Sequence, residues 1–176
     1  MADMQTTPAV TTTTPQPGHY DIDPNRSRVT FATRHLFGLG RVKGSFAIHG
    51  GTADVADPIA ASAIYAEIET ASFRTKNPAR DGSVLSPRFL NPAGHPVMIF
   101  RSDRIDAESQ VLTGTLTVRG TTRPVTLAVT GCEASRGSFT ARATTRIDRT
   151  EFGITAARGL AARSLDLTVE IQCTRN

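Results

Sequence analysis

The alternation of apolar and polar residues is clearest between residues 111 and 130. Two runs place a small or apolar residue at every second position, namely Leu112, Gly114, Leu116 and Val118 and then Val125, Leu127 and Val129. Period-two alternation rich in β-branched residues is typical of a strand with one buried face. Between the runs, Gly120 can adopt a positive φ at little steric cost, and Pro124 must lie where no backbone N–H is needed. The segment therefore predicts two adjacent strands joined by a turn.

The same alternation recurs along most of the chain. The ordered part is predicted to begin at residues 19–24, and further strands are predicted at 29–34, 42–48, 63–68, 97–105, 110–119, 122–131, 137–148 and 163–172. Short turns and the lack of a strand–helix–strand rhythm predict an all-β antiparallel barrel or sandwich. A barrel of about eight strands can hold one small ligand when its inward side chains are small. Small inward candidates are Ala32, Gly44, Ala66, Gly114, Ala141 and Ala143.

Residues 71–95 lack this alternation and form a long insertion between predicted strands. A short helix is predicted over Ala79–Leu85, with Asn77 as its N-cap and Pro78 at the first helical position. Prolines then keep the following chain irregular. Long segments without strands are often lids or binding loops, so we expect this insertion to lie near a functional site.

Residues 1–18 are rich in Thr, Pro, Ala and Gln. Such a segment buries too little apolar surface to offset its ordering entropy, which predicts a disordered tail before a single domain at 19–176. The first residues lack a basic region followed by an apolar one, and no apolar run is long enough to cross a bilayer. We therefore expect a cytoplasmic protein.

Charge and cysteine content narrow the classes of function. The net charge is +4, and only Lys43 and Lys76 of the 20 basic residues are lysines. The arginines are scattered singly along the sequence, without a run or helical stripe, which argues against nucleic acid as the partner. Cys132 and Cys173 are too few for a disulfide framework. A single bridge between them is geometrically conceivable, but free thiols are expected in an intracellular protein.

The sequence contains no recognisable catalytic or metal-binding motif. The four histidines lack the spacing of a zinc site, and there is no nucleophile elbow or phosphate-binding loop. His35, at the end of a predicted strand, can serve either as a contact for a ligand's polar head or as a structural histidine. Arg149 precedes Phe152-Gly153 and can be either a partly buried anchor or an anion site.

Several motifs together resemble one family. They are Tyr20-Asp-Ile-Asp-Pro24 with Ser27; Phe31 through His35-Leu36; Arg41-Val42-Lys43-Gly44 with Phe46; Ala71-Ser72 with Thr75 and Arg80-Asp81; Ser86-Pro87 with Phe89; Pro96 with Phe100 and Ser102; Gly114 to Gly120 with Pro124 to Leu127; and Arg149 with Phe152-Gly-Ile154. In this order they resemble the YceI-like family, lipocalin-like proteins that bind polyisoprenoids. The resemblance implies an extended eight-stranded antiparallel barrel, a short helix from the 71–95 insertion and an apolar lumen. The lumen would hold an isoprenoid tail, and the polar head would lie near a barrel opening.

The sequence departs from this family at four positions, and two of these losses, both of histidines, fall near one implied opening. The family usually has His at Arg26 and Ser83, and aromatic residues at Leu90 and His95. These departures imply a different ligand head or a divergent branch. Residues 153–167 resemble the form found in signal-less, cytoplasmic actinobacterial members.

The combined expectation is non-enzymatic binding, storage or transport of a polyisoprenoid or similar amphiphile, with no cofactor, no metal and no integral membrane association. Expected contacts to the tail are Phe31, Thr33, Phe46, Ile68, Phe100, Leu116 and Leu127, and expected contacts to the head are His35, Arg80 and Arg149. Two alternatives stay open: an enzyme acting on a lipid or amide through His35 and a carboxylate, and a structural or stress-response module without a ligand. A homodimer is also expected, because family members often pair and Leu36-Phe37 resembles an exposed apolar contact.

Overall fold

A computed structural model describes residues 12–33, 41–157 and 162–176 of the chain. The strands in these ranges are β1 (Gly18–Ile22), β2 (Arg28–Thr33), β3 (Lys43–Val55), β4 (Ala63–Glu69), β5 (Val97–Asp106), β6 (Val111–Val118), β7 (Thr121–Ser135), β8 (Ser138–Asp148) and β9 (Ser164–Arg175). One α-helix, α1 (Pro78–Val84), lies between β4 and β5. Short 3-10 helices occur at Ile59–Ala61, Thr70–Ser72 and Arg149–Phe152.

The strands form one closed antiparallel barrel. Their order is β1-β3-β2-β9-β8-β7-β6-β5-β4, and pairing between β3 and β4 closes the sheet. Both β1 and β2 pair with β3 and β9, at different heights, so these two strands share one position in the wall. The nine strands therefore build a barrel eight strands around, which confirms the predicted all-β, lipocalin-like architecture with one short helix.

The β6–β7 hairpin has the predicted turn. Val118 lies opposite Thr121, and the two turn residues, Arg119 and Gly120, have φ of 51° and 75°. Positive φ at both central positions is the two-residue geometry that matches the twist of paired strands. Gly114, in the middle of β6, is required for a different reason. A Cβ there would overlap the backbone carbonyl of Arg101 in β5.

The helix begins where its capping residues predict. The Asn77 side chain accepts a hydrogen bond from the Arg80 backbone N–H at 3.1 Å, and Pro78 occupies the first helical position. Asp81 accepts hydrogen bonds from the backbone N–H and hydroxyl of Thr75, at 2.9 and 2.6 Å. These bonds tie the first turn of α1 to the chain that leaves β4.

Strand β3 is longer than the sequence predicts. The strand was expected to end near Ile48, before His49-Gly50-Gly51, but it continues to Val55. Its register with β4 shifts between Ile48 and Gly50, so a β-bulge at His49 takes the place of a turn, and Gly50 and Gly51 stay paired with Glu67 and Ala66. A bulge bends a strand without ending it, which is why the glycine pair is misleading as a stop signal.

The register defines two different ends of the barrel. The insertion end contains the β6–β7 turn, the segment 70–96 and the segment 149–163. The strap end contains the β5–β6 and β7–β8 turns and the start of β1. Residues 12–17, which we call the N-terminal strap, belong to the predicted tail but lie against the barrel. Thr12 makes a parallel bridge with Cys132 in β7, and the Thr13 N–H donates to the Cys132 carbonyl at 2.8 Å.

Candidate functional site: an apolar barrel cavity

The barrel encloses a cavity of about 300 Å³. This volume lies at the lower limit of typical ligand pockets, about 300–1,000 Å³. Inward-facing residues of the strands form its wall, because alternate residues of each strand face the lumen. Apolar wall residues include Val29, Ile48, Ala66, Met98, Leu112, Val129, Phe139, Ala143, Val169 and Ile171. Polar side chains are few, so the cavity suits an apolar chain.

Five of the residues expected to contact a lipid tail line this cavity. They are Phe46, Ile68, Phe100, Leu116 and Leu127. Ile68 and Leu127 are buried, and the other three are partly buried. The five lie on β3, β4, β5, β6 and β7, so the alternation indicates the inward face correctly on five neighbouring strands.

Phe31 and Thr33 do not line the cavity. The Phe31 ring stacks on Phe73 with centroids 5.3 Å apart and also contacts Phe46 at 5.8 Å. This aromatic cluster packs the insertion against the barrel wall. The Thr33 hydroxyl accepts a hydrogen bond from the Val42 N–H at 2.9 Å, so its role is to hold the ends of β2 and β3 together.

Arg149 is buried at the insertion end, with 8% of its surface exposed. Its Nε donates to the Ala162 carbonyl, and its Nη1 donates to the carbonyls of Ile154 and Ala156, each at 2.9 Å. The guanidinium also lies 5.7 Å from the ring centre of Phe89 in the insertion. These contacts fasten the segment after the 3-10 helix across this end of the barrel, which is the geometry of an anchor.

The structure does not join the other two residues expected to contact the head group to this site. Arg80 is exposed on α1 and does not line the cavity. His35 lies outside the described residues, as does the Leu36-Phe37 pair expected at a dimer contact. The structure therefore brings Arg80 and Arg149 to the same end of the barrel without joining them in one site.

The N-terminal strap lines the opposite end of the cavity, where the sequence predicts only a disordered tail. Thr12, Thr13, Thr14 and Pro15 line the cavity, and Pro15 is buried. The Tyr20 hydroxyl donates to the Gln16 carbonyl at 2.8 Å. The strap lacks the alternation of a strand, so no local sequence pattern identifies it as part of the wall.

The cysteines and the histidine near the strap are not arranged for catalysis. Cys132 and Cys173 are free thiols, so the conceivable bridge is not formed. Burial raises the pKa of Cys173 to about 12 and also raises that of Cys132, which keeps both thiols protonated. A hydrogen bond to Asp54 raises the pKa of His19, which is solvent-exposed. Within the described ranges, no three side chains of the types that bind metals form a cluster.

A closed eight-stranded barrel around an apolar cavity defines a lipocalin-like binding barrel. The chain belongs to the YceI family, since the model of the YceI-like domain matches residues 20–174. A UPF0312 protein of Enterobacter sp. (strain 638) is 32% identical over 163 residues, which cover 86% of this chain and 83% of that protein. No helix in the described part of the chain has the length and hydrophobicity needed to cross a membrane.

Solved structures show the same fold. Burkholderia cenocepacia BcnA has a TM-score of 0.73 at 18% identity, covering 87% of this chain and 99% of that one. A polyisoprenoid binding domain from Saccharophagus degradans has a TM-score of 0.66 at 12% identity, covering 92% and 100%. At these identities the likeness establishes the architecture alone.

Proposed function

We propose that the protein binds, stores or transports a polyisoprenoid or similar amphiphilic lipid in its barrel, without chemical conversion. The observation that carries this proposal is the apolar cavity inside the barrel wall, which the N-terminal strap lines at one end and Leu90, Phe152 and Ile154 line at the other. The similar fold of the polyisoprenoid binding domain from Saccharophagus degradans supports it. The enzymatic alternative depends on His35, and the ligand-free alternative lacks a role for an apolar cavity.

The energetics of such binding need no catalytic group. Each 100 Å² of apolar surface removed from water contributes about 2.5 kcal/mol, so a tail that buries about 300 Å² contributes about 7–8 kcal/mol. This contribution corresponds to a dissociation constant in the micromolar range before ordering costs.

The proposed lipid contacts follow the geometry of the cavity. Phe46, Ile68, Phe100, Leu116 and Leu127 contact the tail, and Phe31 and Thr33 support the wall behind it. The proposed position of the head group is the insertion end, where Arg80 is a candidate contact and Arg149 anchors the segment that follows β8. His35 stays a candidate contact on the sequence alone. The cytoplasmic location and the homodimer stay predictions of the sequence.

A cavity-filling substitution tests this proposal. Ala143 lines the cavity from β8, whereas Ala128 is exposed on β7. The chain has no Trp, so Ala143→Trp and Ala128→Trp each introduce a single reporter whose emission shows whether it is buried. Binding of geranylgeraniol is measured by native mass spectrometry and by competition with a fluorescent prenyl probe.

We expect the wild type and Ala128→Trp to bind with equal affinity and Ala143→Trp to bind at least about tenfold more weakly, because the indole occupies the space of the tail. A wild type that binds no prenyl lipid, or an Ala143→Trp variant that emits from a buried indole and binds normally, contradicts the proposal.

A further inference from the structure

The insertion end of the barrel carries an excess of exposed positive charge. Besides Arg163, which pairs with Asp148, exposed cationic side chains at this end include Lys43, Arg74, Lys76, Arg80, Arg88 and Arg123. None of these six forms an ion pair with another residue in the described ranges. The exposed carboxylates at the same end are Glu69 and Glu151, and Asp81 and Asp148 are half-buried and occupied by hydrogen bonds. Unpaired cations therefore dominate the electric field at this end.

The strap end has the opposite character. Its exposed carboxylates are Asp54, Asp57, Asp103, Glu108 and Glu133, and its exposed arginines are Arg104, Arg136 and Arg175. The net positive charge is therefore displaced toward one end of the barrel axis. The scattered sequence positions of the arginines conceal this polarity, because the barrel brings together residues from β3, β7 and the insertion.

Ion pairs on the side of the barrel show the contrast. Asp166 lies between Arg41 and Arg146, at 3.6 and 2.9 Å, and Glu170 lies between Arg28 and Arg142, at 3.8 and 3.4 Å. Charges on that wall are matched across neighbouring strands, as expected for a solvated sheet face. At the insertion end Arg163 is matched by Asp148 at 2.6 Å, but the six cations named above make no such pair within the described ranges, so they are available to an external anion.

We propose that the insertion end is a docking surface for an anionic lipid bilayer, with the barrel axis directed toward the membrane. The cations surround the end covered by Phe89, Leu90 and Phe152, so docking places one cover of the apolar cavity against the lipid surface. The orientation is also favourable for the acidic strap end, which points away from the negative surface. The suggested purpose, loading of the cavity from the membrane, rests on the proposed function, but docking itself does not.

The arrangement favours a bilayer over a nucleic acid. The cations form a broad rim around a barrel end, whereas nucleic-acid surfaces combine basic grooves or helices with exposed aromatic platforms. The aromatic side chains of the insertion, Phe73 and Phe89, are partly buried in the core and are not free for stacking. Each Lys or Arg close to an anionic membrane strengthens binding by about fivefold.

The test compares two variants with the same net charge. The insertion-end variant carries Arg74→Glu, Lys76→Glu and Arg88→Glu, and the control carries Arg26→Glu, Arg104→Glu and Arg136→Glu, all at exposed positions. Each protein is sedimented with two kinds of vesicle. One is pure phosphatidylcholine, and the other contains about 30% phosphatidylglycerol, which gives its surface a negative charge. Salt is varied, and binding to single-stranded RNA and to a prenyl probe is measured in parallel.

We expect the wild type and the control variant to bind the anionic vesicles at low salt and to dissociate as salt shortens the Debye length. The insertion-end variant should bind on the order of a hundredfold or more weakly, while its prenyl-probe affinity remains unchanged. Equal weakening of both variants, no vesicle binding by the wild type, or tighter binding to RNA than to vesicles overturns the docking proposal. If the wild type does not bind the prenyl probe, the proposed function is refuted. The vesicle result still tests the docking proposal, because docking does not depend on prenyl binding.

Discussion

Replacement of Arg149 by leucine tests whether this residue is an anchor or a ligand contact. The wild-type guanidinium donates to three backbone carbonyls while it is almost completely buried. A hydrogen bond to a charged group contributes about 1.5–3 kcal/mol. The three are not additive, and the leucine side chain recovers some apolar burial. We therefore expect a loss of about 3–5 kcal/mol in the free energy of unfolding.

The measurement is urea unfolding followed by far-UV circular dichroism, with thermal unfolding as a second probe. For a chain of this length, a loss of this size lowers Tm by about 6–20 °C. Arg149→Lys should recover little of the loss, because one ammonium group cannot reproduce the planar fork of donors. The matched control is Arg163→Leu, which removes an exposed arginine whose ion pair with Asp148 spans 2.6 Å. Exposed pairs contribute about 0–1 kcal/mol, so this variant should unfold close to the wild type.

The two roles of Arg149 give opposite results. An anchor predicts a large loss of stability, with lipid affinity retained in the fraction that stays folded. If Arg149→Leu unfolds within about 1 kcal/mol of the wild type and loses affinity for a prenyl probe, the anchor assignment is wrong and Arg149 is a head-group contact.

Two further predictions follow from the wall and from the strap end. Gly114→Ala should destabilise the barrel by about 1–3 kcal/mol in urea unfolding, since the added Cβ meets the Arg101 backbone and no side chain can move away. Gly131→Ala, with open space at its Cβ position, is the control, and equal stability of the two variants would refute the packing argument. The pKa of His19 should lie above 6.5, because the imidazolium donates to Asp54. Its stabilising effect is then complete below about pH 6.5 and is lost as pH rises through the folded-state pKa. An NMR titration should show this pKa falling toward 6.5 in Asp54→Asn, and an unshifted His19 in the wild type would contradict the assignment.

The features that the sequence predicts well are those encoded locally. The alternation at residues 111–129 identifies both strands of the β6–β7 hairpin, and Gly120 marks the turn between them. Asn77 and Pro78 locate the start of α1 for the same reason, because capping depends on residues within one helical turn. The inward face of a strand follows from its alternation, so residues such as Leu127 could be assigned to the cavity wall from the sequence.

Features that depend on distant strands could not be predicted in this way. The N-terminal strap reaches Cys132 because β7 continues beyond the start of β6 at Val111, which leaves backbone groups of β7 without a partner on that side. Phe31 has the alternation of a wall residue, but Phe73 from the insertion covers it. Arg149 shows the same limit: the three carbonyls that it binds become close to one another only when the segment folds back over the barrel end.

Two segments at the insertion end, the segment after β8 and helix α1, differ in how firmly they are held. This difference bears on how a lipid enters the cavity. The segment after β8 is fixed by the buried Arg149 guanidinium, and Phe152 and Ile154 belong to the hydrophobic core. Helix α1 has no buried residue, and its first turn is tied to the chain through Asp81 and Thr75. Displacing α1 exposes the partly buried Val84, whereas displacing the Arg149 segment breaks charged hydrogen bonds in a buried site. We therefore expect the α1 side of the rim, which also carries Arg80 and the cations nearest to it, to move when a lipid passes, while the Arg149 side stays in place.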